Sequence, residues 1–115
     1  MSQMTKEEWL ASDFGRWLND ELLKLYNIGM EKHEPDGWLR VSPQLHTTKA
    51  VAHITQANGS GNPSLTDDFD DKPTGMMHTT HAALRCLFSG FLVTNAMDAK
   101  LDGGIIKQAK EQAND

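Results

Sequence analysis

The chain has 115 residues, with sixteen acidic and eleven basic side chains that give a formal net charge of −5. This length predicts one domain over residues 1–115 with a core of its own, and the lack of a basic patch argues against direct binding of nucleic acid. Because no apolar run is long enough to cross a membrane, the start lacks a signal-peptide pattern and there is a single cysteine, we expect a cytoplasmic protein that folds without disulfides.

The first predicted element is an amphipathic helix over residues 5–26. Thr5 followed by Glu8 matches the capping box that begins many helices. Apolar residues then recur every three or four positions, which is the helical period; they are Trp9, Leu10, Phe14, Trp17, Leu18, Leu22, Leu25 and Tyr26. Gly15 lies inside this pattern, but one glycine costs only about 1 kcal/mol in a helix. We therefore predict one continuous helix, followed by a turn at residues 35–37.

The second predicted helix follows a short segment, WLRV at 38–41, which is either an extended piece or a corner that buries Trp38. Ser42 as N-cap, Pro43 at the first helical position and a glycine at the end of 42–59 are typical helix boundaries. The β-branched residues leave a strand over 50–55 as an alternative. Helical spacing places an apolar set on one face (Leu45, Thr48, Val51, Ala52, Ile54) and a polar set on another (His46, Lys49, His53, Gln56).

The rest of the chain predicts a long loop, a third helix and a short tail helix. The loop over 58–74 is polar and rich in aspartate, and loops of this length are usually functional or disordered. The most apolar run of the chain predicts a helix over 76–100, and residues 105–115 predict a short last one. The predicted fold is therefore all-α: a small bundle of three long helices plus a short C-terminal helix, with a long acidic loop between the second and third helices.

We expect the first and third helices to supply the core. The residues expected there are Trp9, Trp17, Leu18, Leu22, Leu84, Leu87, Phe88 and Phe91. Cys86 falls within the apolar run of the third helix, so we expect a buried and unreactive thiol. Because this helix is apolar over most of its circumference and a small bundle offers limited cover, we expect a homodimer or a small homo-oligomer.

The first candidate site is the sequence HTTH at 78–81, at the start of the third helix. Two histidines three positions apart can face one metal ion, which would make the chain a metal-dependent enzyme centred on His78 and His81. A zinc site needs three or four ligands, and the glutamate and third ligand of zinc-peptidase motifs are missing. We therefore interpret the pair as the polar end of a core helix and predict no metal, no cofactor and no enzymatic activity.

The second candidate site is a cationic notch between the second and third helices. If these helices lie side by side, their polar edges bring together His46, Lys49, His53, His81 and Arg85. Guanidinium and ammonium groups bind phosphate and carboxylate, so the notch would hold a small anionic ligand such as a nucleotide. The alternative is an ordinary solvated helix face.

The third candidate site is the acidic loop, which the sequence favours. Four aspartates surround one aromatic side chain, in the order Asp67, Asp68, Phe69, Asp70, Asp71. The acids would attract a basic protein surface and the aromatic ring would anchor on it, whereas their order does not match a calcium loop. We interpret the chain as a small acidic binding or inhibitor protein that contacts a macromolecular partner. A phage or mobile-element inhibitor of a host defence protein fits that description.

Overall fold

The computed structural model describes residues 3–32, 34, 36–59, 61, 65–67 and 74–102. Within these ranges the chain forms four α-helices, α1 (Lys6–Ala11), α2 (Asp13–Lys32), α3 (Pro43–Gly59) and α4 (His78–Asp102), and a 3₁₀ helix, Gly37–Arg40, between α2 and α3. The described residues contain no β-strand and one isolated bridge, between Thr66 and Met77. The all-α prediction is confirmed. The predicted tail helix over 105–115 and most of the acidic loop lie outside the described residues.

The first predicted helix is two helices, because the chain breaks at Ser12. The capping box at the start of α1 is formed as predicted. The backbone of Ser12 is extended, and its hydroxyl accepts a hydrogen bond from the Gly15 amide at 3.0 Å, which caps the start of α2. Gly15 is buried, and a β-carbon there would overlap the carbonyl oxygen of Trp9. The prediction of one continuous helix is therefore wrong, and the glycine permits the close approach of α1 to α2.

A tight turn connects α2 to the 3₁₀ helix. Asp36 has a left-handed backbone, with φ at 60°, and its carboxylate accepts a hydrogen bond from the Tyr26 hydroxyl at 3.3 Å. The same Tyr26 oxygen accepts a hydrogen bond from the indole N–H of Trp38 at 3.2 Å. Trp38 is half-buried and stacks on Phe88 of α4, with ring centroids 4.2 Å apart. The WLRV segment is thus the predicted corner and not an extended piece.

The most extensive helix contact lies between α3 and α4, while α2 also packs on α4. His46 of α3 is bonded to Arg85 of α4, and His53 is bonded to His78. The later residue of α3 therefore bonds to the earlier residue of α4, so the two helices are antiparallel. None of the described helices is both long enough and apolar enough to cross a membrane.

The face of α3 that packs on α4 carries only two residues of the predicted polar set, His46 and His53, because Lys49 and Gln56 are exposed. The buried positions are His46, Ala50 and Ala57, with His53 half-buried. The exposed positions include Leu45, Val51 and Ile54 of the predicted apolar face. Ala50 lets the two helices approach closely, and the histidine rings fill the remaining space with their nitrogens bonded. The alternative of a strand over 50–55 is wrong, since α3 is helical throughout.

Half of the predicted core residues are exposed. Those that face solvent are Trp9, Trp17, Leu87 and Phe91, and those that are half-buried are Leu18, Leu22, Leu84 and Phe88. The buried hydrophobic residues are Leu25, Ala50, Ala57, Met76 and Ala82. Among the described elements α1 packs only on α2, so no other described element covers its outer side. The expectation of a buried Cys86 is also wrong, because its side chain is exposed.

Candidate functional site

Four of the five histidines of the chain meet at the contact between α3 and α4. His46 and His53 come from α3, and His78 and His81 from the first turn of α4. His46 and His78 are the largest fully buried side chains in the described part of the molecule. No buried side-chain nitrogen or oxygen in that part lacks a hydrogen-bond partner. The burial of His46 and His78 is therefore compatible with a stable interior.

His46 links three elements. Its Nε2 lies 2.9 Å from the carbonyl oxygen of Trp38 in the 3₁₀ helix, and its Nδ1 lies 3.1 Å from a guanidinium nitrogen of Arg85. A carbonyl only accepts and a guanidinium only donates, so Nε2 carries the proton and Nδ1 carries the lone pair. This arrangement fixes the direction of the Arg85 side chain without neutralising its charge.

His81 lies at the centre of a second polar group. Its Nε2 is 2.6 Å from the hydroxyl oxygen of Thr74 and 3.5 Å from a carboxylate oxygen of Asp67, and its ring stacks on that of His53 at 4.3 Å. Burial lowers the pKa of His81 from 6.5 to about 4, and the neighbouring His53, His78 and Arg85 act in the same direction against the opposing effect of Asp67. His81 is therefore a neutral hydrogen-bonding group at pH 7.

The two histidines of HTTH bond to different partners. Nδ1 of His78 lies 2.8 Å from Nδ1 of His53, whereas His81 bonds to Thr74. The rings of His53 and His81 are stacked with their planes only 9° apart, so their in-plane lone pairs do not point to one position. In the described residues no group of three His, Cys, Asp or Glu side chains is placed to hold a metal ion. The geometry thus gives no support to a metal site at His78 and His81.

Asp67 is a buried part of this arrangement. Its backbone amide donates to Met76 O at 2.8 Å and its carbonyl accepts from Gly75 N at 3.2 Å, while its carboxylate accepts from the Thr74 hydroxyl at 3.4 Å. Only 5% of the surface of Asp67 is exposed. Asp67 is therefore not available to dock on a partner, and its place in the predicted acidic site is wrong. The other four residues of the predicted acidic site, Asp68, Phe69, Asp70 and Asp71, lie outside the described residues.

A cavity of about 440 Å³ opens between α2, the 3₁₀ helix and α4. Its basic lining residues include Lys49, His81 and Arg85; its aromatic ones are Tyr26, Trp38 and Phe88; and its acidic ones are Glu34 and Asp36. This volume lies within the range of small-molecule sites, which combine apolar walls with a few polar groups.

The charges in the cavity wall are distributed unequally. Glu34 forms an ion pair with Arg40 at 2.7 Å, and Asp36 accepts the Tyr26 hydroxyl. By contrast, none of the ion pairs formed by the described residues includes Arg85 or Lys49. Burial lowers the pKa of Arg85, which is the effect expected of a cation withdrawn from water without an anionic partner. A guanidinium nevertheless keeps its proton at neutral pH.

Three of the five residues predicted for the cationic notch line this cavity, namely Lys49, His81 and Arg85. His46 and His53 are not part of its wall; they lie behind it and hold Arg85 and His81 in position. The aromatic residues were not predicted as part of the site. Their only signal in the sequence was the Asp-Gly turn before Trp38, which brings the indole back toward α2.

Comparison of the chain with protein-family models, with curated proteins and with solved structures finds no match.

Proposed function

We propose that the protein binds a small anionic ligand in the cavity between α2, the 3₁₀ helix and α4. The observation that carries this proposal is Arg85: a partly buried guanidinium that faces a cavity and bonds to a neutral histidine nitrogen in place of a carboxylate. A withdrawn charge without a counter-charge is costly, and an anion in the cavity would remove that cost.

The remaining wall is consistent with a ligand that has both an anionic and a flat apolar part. Lys49 adds a second positive charge on α3, and the neutral His81 offers a hydrogen-bonding nitrogen. Tyr26, Trp38 and Phe88 supply apolar and aromatic surface. A phosphorylated or carboxylated aromatic compound, of which a nucleotide is one example, would use both parts of the cavity.

Isothermal titration calorimetry with inorganic phosphate, pyrophosphate and a series of nucleoside phosphates tests the proposal. We expect at least one of these anions to bind, and Arg85→Gln to weaken its affinity about 10- to 100-fold, since charged hydrogen bonds contribute about 1.5–3 kcal/mol. Glutamine is two atoms shorter than arginine and does not replace the bond to His46, so circular dichroism checks that the variant still folds.

Arg16→Gln is the matched control, because Arg16 has the same charge but lies exposed beside Asp13. We expect this variant to bind like the wild type. The proposal is wrong if no anion of the series binds the wild type, or if the two variants lose affinity equally.

The other proposals from the sequence keep the basis they had there. Contact with a macromolecular partner, and action as an inhibitor of a host defence protein, still rest on charge and size, with Asp67 removed from the exposed set. The cytoplasmic location likewise stays a proposal that rests on the single cysteine. We favour the anionic ligand because the cavity beside Arg85 supports it.

A further inference from the structure

The outward side of α4 carries a continuous uncharged stripe. Between His78 and Met97 the only charged residue of this helix is Arg85, and Arg85 points inward to His46. The stripe consists of Ala83, Leu87, Gly90, Thr94 and Met97, flanked by Cys86 and Val93, and every one of these residues is exposed. A solvent-facing helix surface normally carries charges, so a stripe of this length without any is unusual.

The spacing of the stripe is that of a helix-packing seam. The steps between its residues alternate between four and three, which keeps them in one line along a helix that packs on another helix. The stripe also extends over fifteen residues, about 21 Å of helix axis. Gly90 lies at its middle, and nothing in the described structure lies within 4 Å of where a β-carbon at this position would be.

The stripe is complementary to itself when it is reversed about Gly90. In an antiparallel pair centred there, the small Ala83 lies opposite the large Met97 of the second copy, and Leu87 lies opposite Val93. A parallel pair would instead place Met97 against Met97 and Ala83 against Ala83, which packs less evenly. Opposed helix dipoles also favour the antiparallel arrangement.

We propose that a second copy of this chain packs on this stripe, with α4 antiparallel to α4 and the two-fold axis at Gly90. The exposed fractions of Leu87, Val93 and Met97 are 56, 46 and 64%. In two copies these side chains amount to roughly 600 Å² of apolar surface, to which the small residues and backbone of the seam add, against the roughly 1,200 Å² at which specific interfaces begin. The area therefore fits a dimer of modest stability.

Cysteine crosslinking tests the register. Two copies of Cys86 would each lie four residues from the axis and hence about 12 Å apart along it, beyond the roughly 7 Å that a disulfide can span between Cα atoms. We expect no disulfide dimer from the wild type under mild oxidation. We expect one from Cys86→Ser/Gly90→Cys, and one from Thr94→Cys, in which the new thiol meets Cys86 of the second copy.

Sedimentation equilibrium tests the interface itself. We expect a dimer mass for the wild type at tens of micromolar and a monomer mass for Leu87→Glu. Val51→Glu is the matched control, since it makes the same change at an exposed aliphatic residue on α3, and it should remain a dimer. If Leu87→Glu fails to fold, the crosslinks of the other variants decide. A monomeric wild type, a Cys86 disulfide in the wild type, or equal effects of the two glutamate variants would overturn the proposal.

Discussion

Two regions of the molecule reverse the usual rule that apolar side chains are buried and polar ones exposed. One is the contact between α3 and α4, and the other is the N-terminal segment formed by α1 and the start of α2. The first region buries imidazole rings and alanines, with His46 and His78 inside. The second leaves large aromatic rings on the surface, where Trp9, Phe14 and Trp17 pack edge-on or stacked against one another. Phe14 and Trp17 are about half exposed. Hydrophobicity alone therefore does not decide burial in this molecule.

The difference shows that burial depends on which elements are available to pack together. α3 and α4 face each other along several turns and can approach closely because Ala50 and Ala82 are buried where they meet. A polar ring is stable in such an interior when both nitrogens are bonded, as in His46. α1 has only α2 beside it in the described structure, so the ring of Trp9 in α1 and the rings of Phe14 and Trp17 in α2 cover one another.

The largest expected effect is at His46. His46→Ala leaves a cavity in the α3–α4 contact, removes the partner of the Trp38 carbonyl and removes the acceptor for Arg85. We expect the free energy of unfolding to fall by about 2–5 kcal/mol, measured by urea denaturation. Gln56→Ala on the exposed side of the same helix should change it by less than about 0.5 kcal/mol. If His46→Ala lowers the free energy of unfolding only slightly, the buried histidines between α3 and α4 do not stabilise the fold.

A second test enlarges a small residue in the same contact. Ala50 is 4% exposed and lies between His46 and His53, which both bond to α4, so Ala50→Leu should force the helices apart and lower the free energy of unfolding by about 1–3 kcal/mol. Ala52 is exposed on the same helix, and Ala52→Leu should be close to neutral. If both leucine variants unfold at the same urea concentration as the wild type, α3 and α4 do not pack as closely as described.

The sequence predicted the helix boundaries better than it predicted their faces. Local signals determine boundaries, and the Thr5 capping box and the helix from Pro43 to Gly59 are confirmed. The break at Ser12 escaped prediction because it depends on the contact of Gly15 with the Trp9 carbonyl, which is visible only after the chain has turned.

The site was predicted in part for a related reason. Lys49, His81 and Arg85 share helix edges, so spacing alone placed them together, and the cavity contains all three. Tyr26 and Trp38 reach the cavity through a left-handed turn that spacing on one helix does not reveal. The burial of His46 could not be predicted either. Its hydrogen-bond partners, the Trp38 carbonyl and Arg85, come from other parts of the chain.

Acid should lower the free energy of unfolding through protonation of His81. The folded-state pKa of His81 is lowered to about 4 from an ordinary 6.5, so between these values the unfolded chain binds a proton that the folded chain does not. The free energy of unfolding therefore falls as the pH falls from about 6.5 to 4. With partial solvent screening we expect His81 to contribute about 1–2 kcal/mol of this loss, since one pKa unit is worth about 1.4 kcal/mol. Urea denaturation of the wild type and of His81→Gln at pH 7.0, 5.5 and 4.5 measures it; equal pH slopes would contradict the assignment.

The smallest expected effect lies in the N-terminal aromatic cluster, and it would separate the two regions most clearly. Phe14 is 58% exposed, and its contacts are with two other exposed rings, Trp9 and Trp17. Phe14→Ala should therefore lower the free energy of unfolding by less than about 1 kcal/mol, the range of a solvent-exposed aromatic pair. The same substitution at Phe88, which is half-buried against Trp38 and His46, should cost about 3 kcal/mol or more. Because both variants remove the same atoms, the difference between them reports burial alone, free of the chemistry of the residue. If Phe14→Ala proved as costly as Phe88→Ala, the N-terminal cluster would be covered in solution, and the contrast between the two regions would not hold.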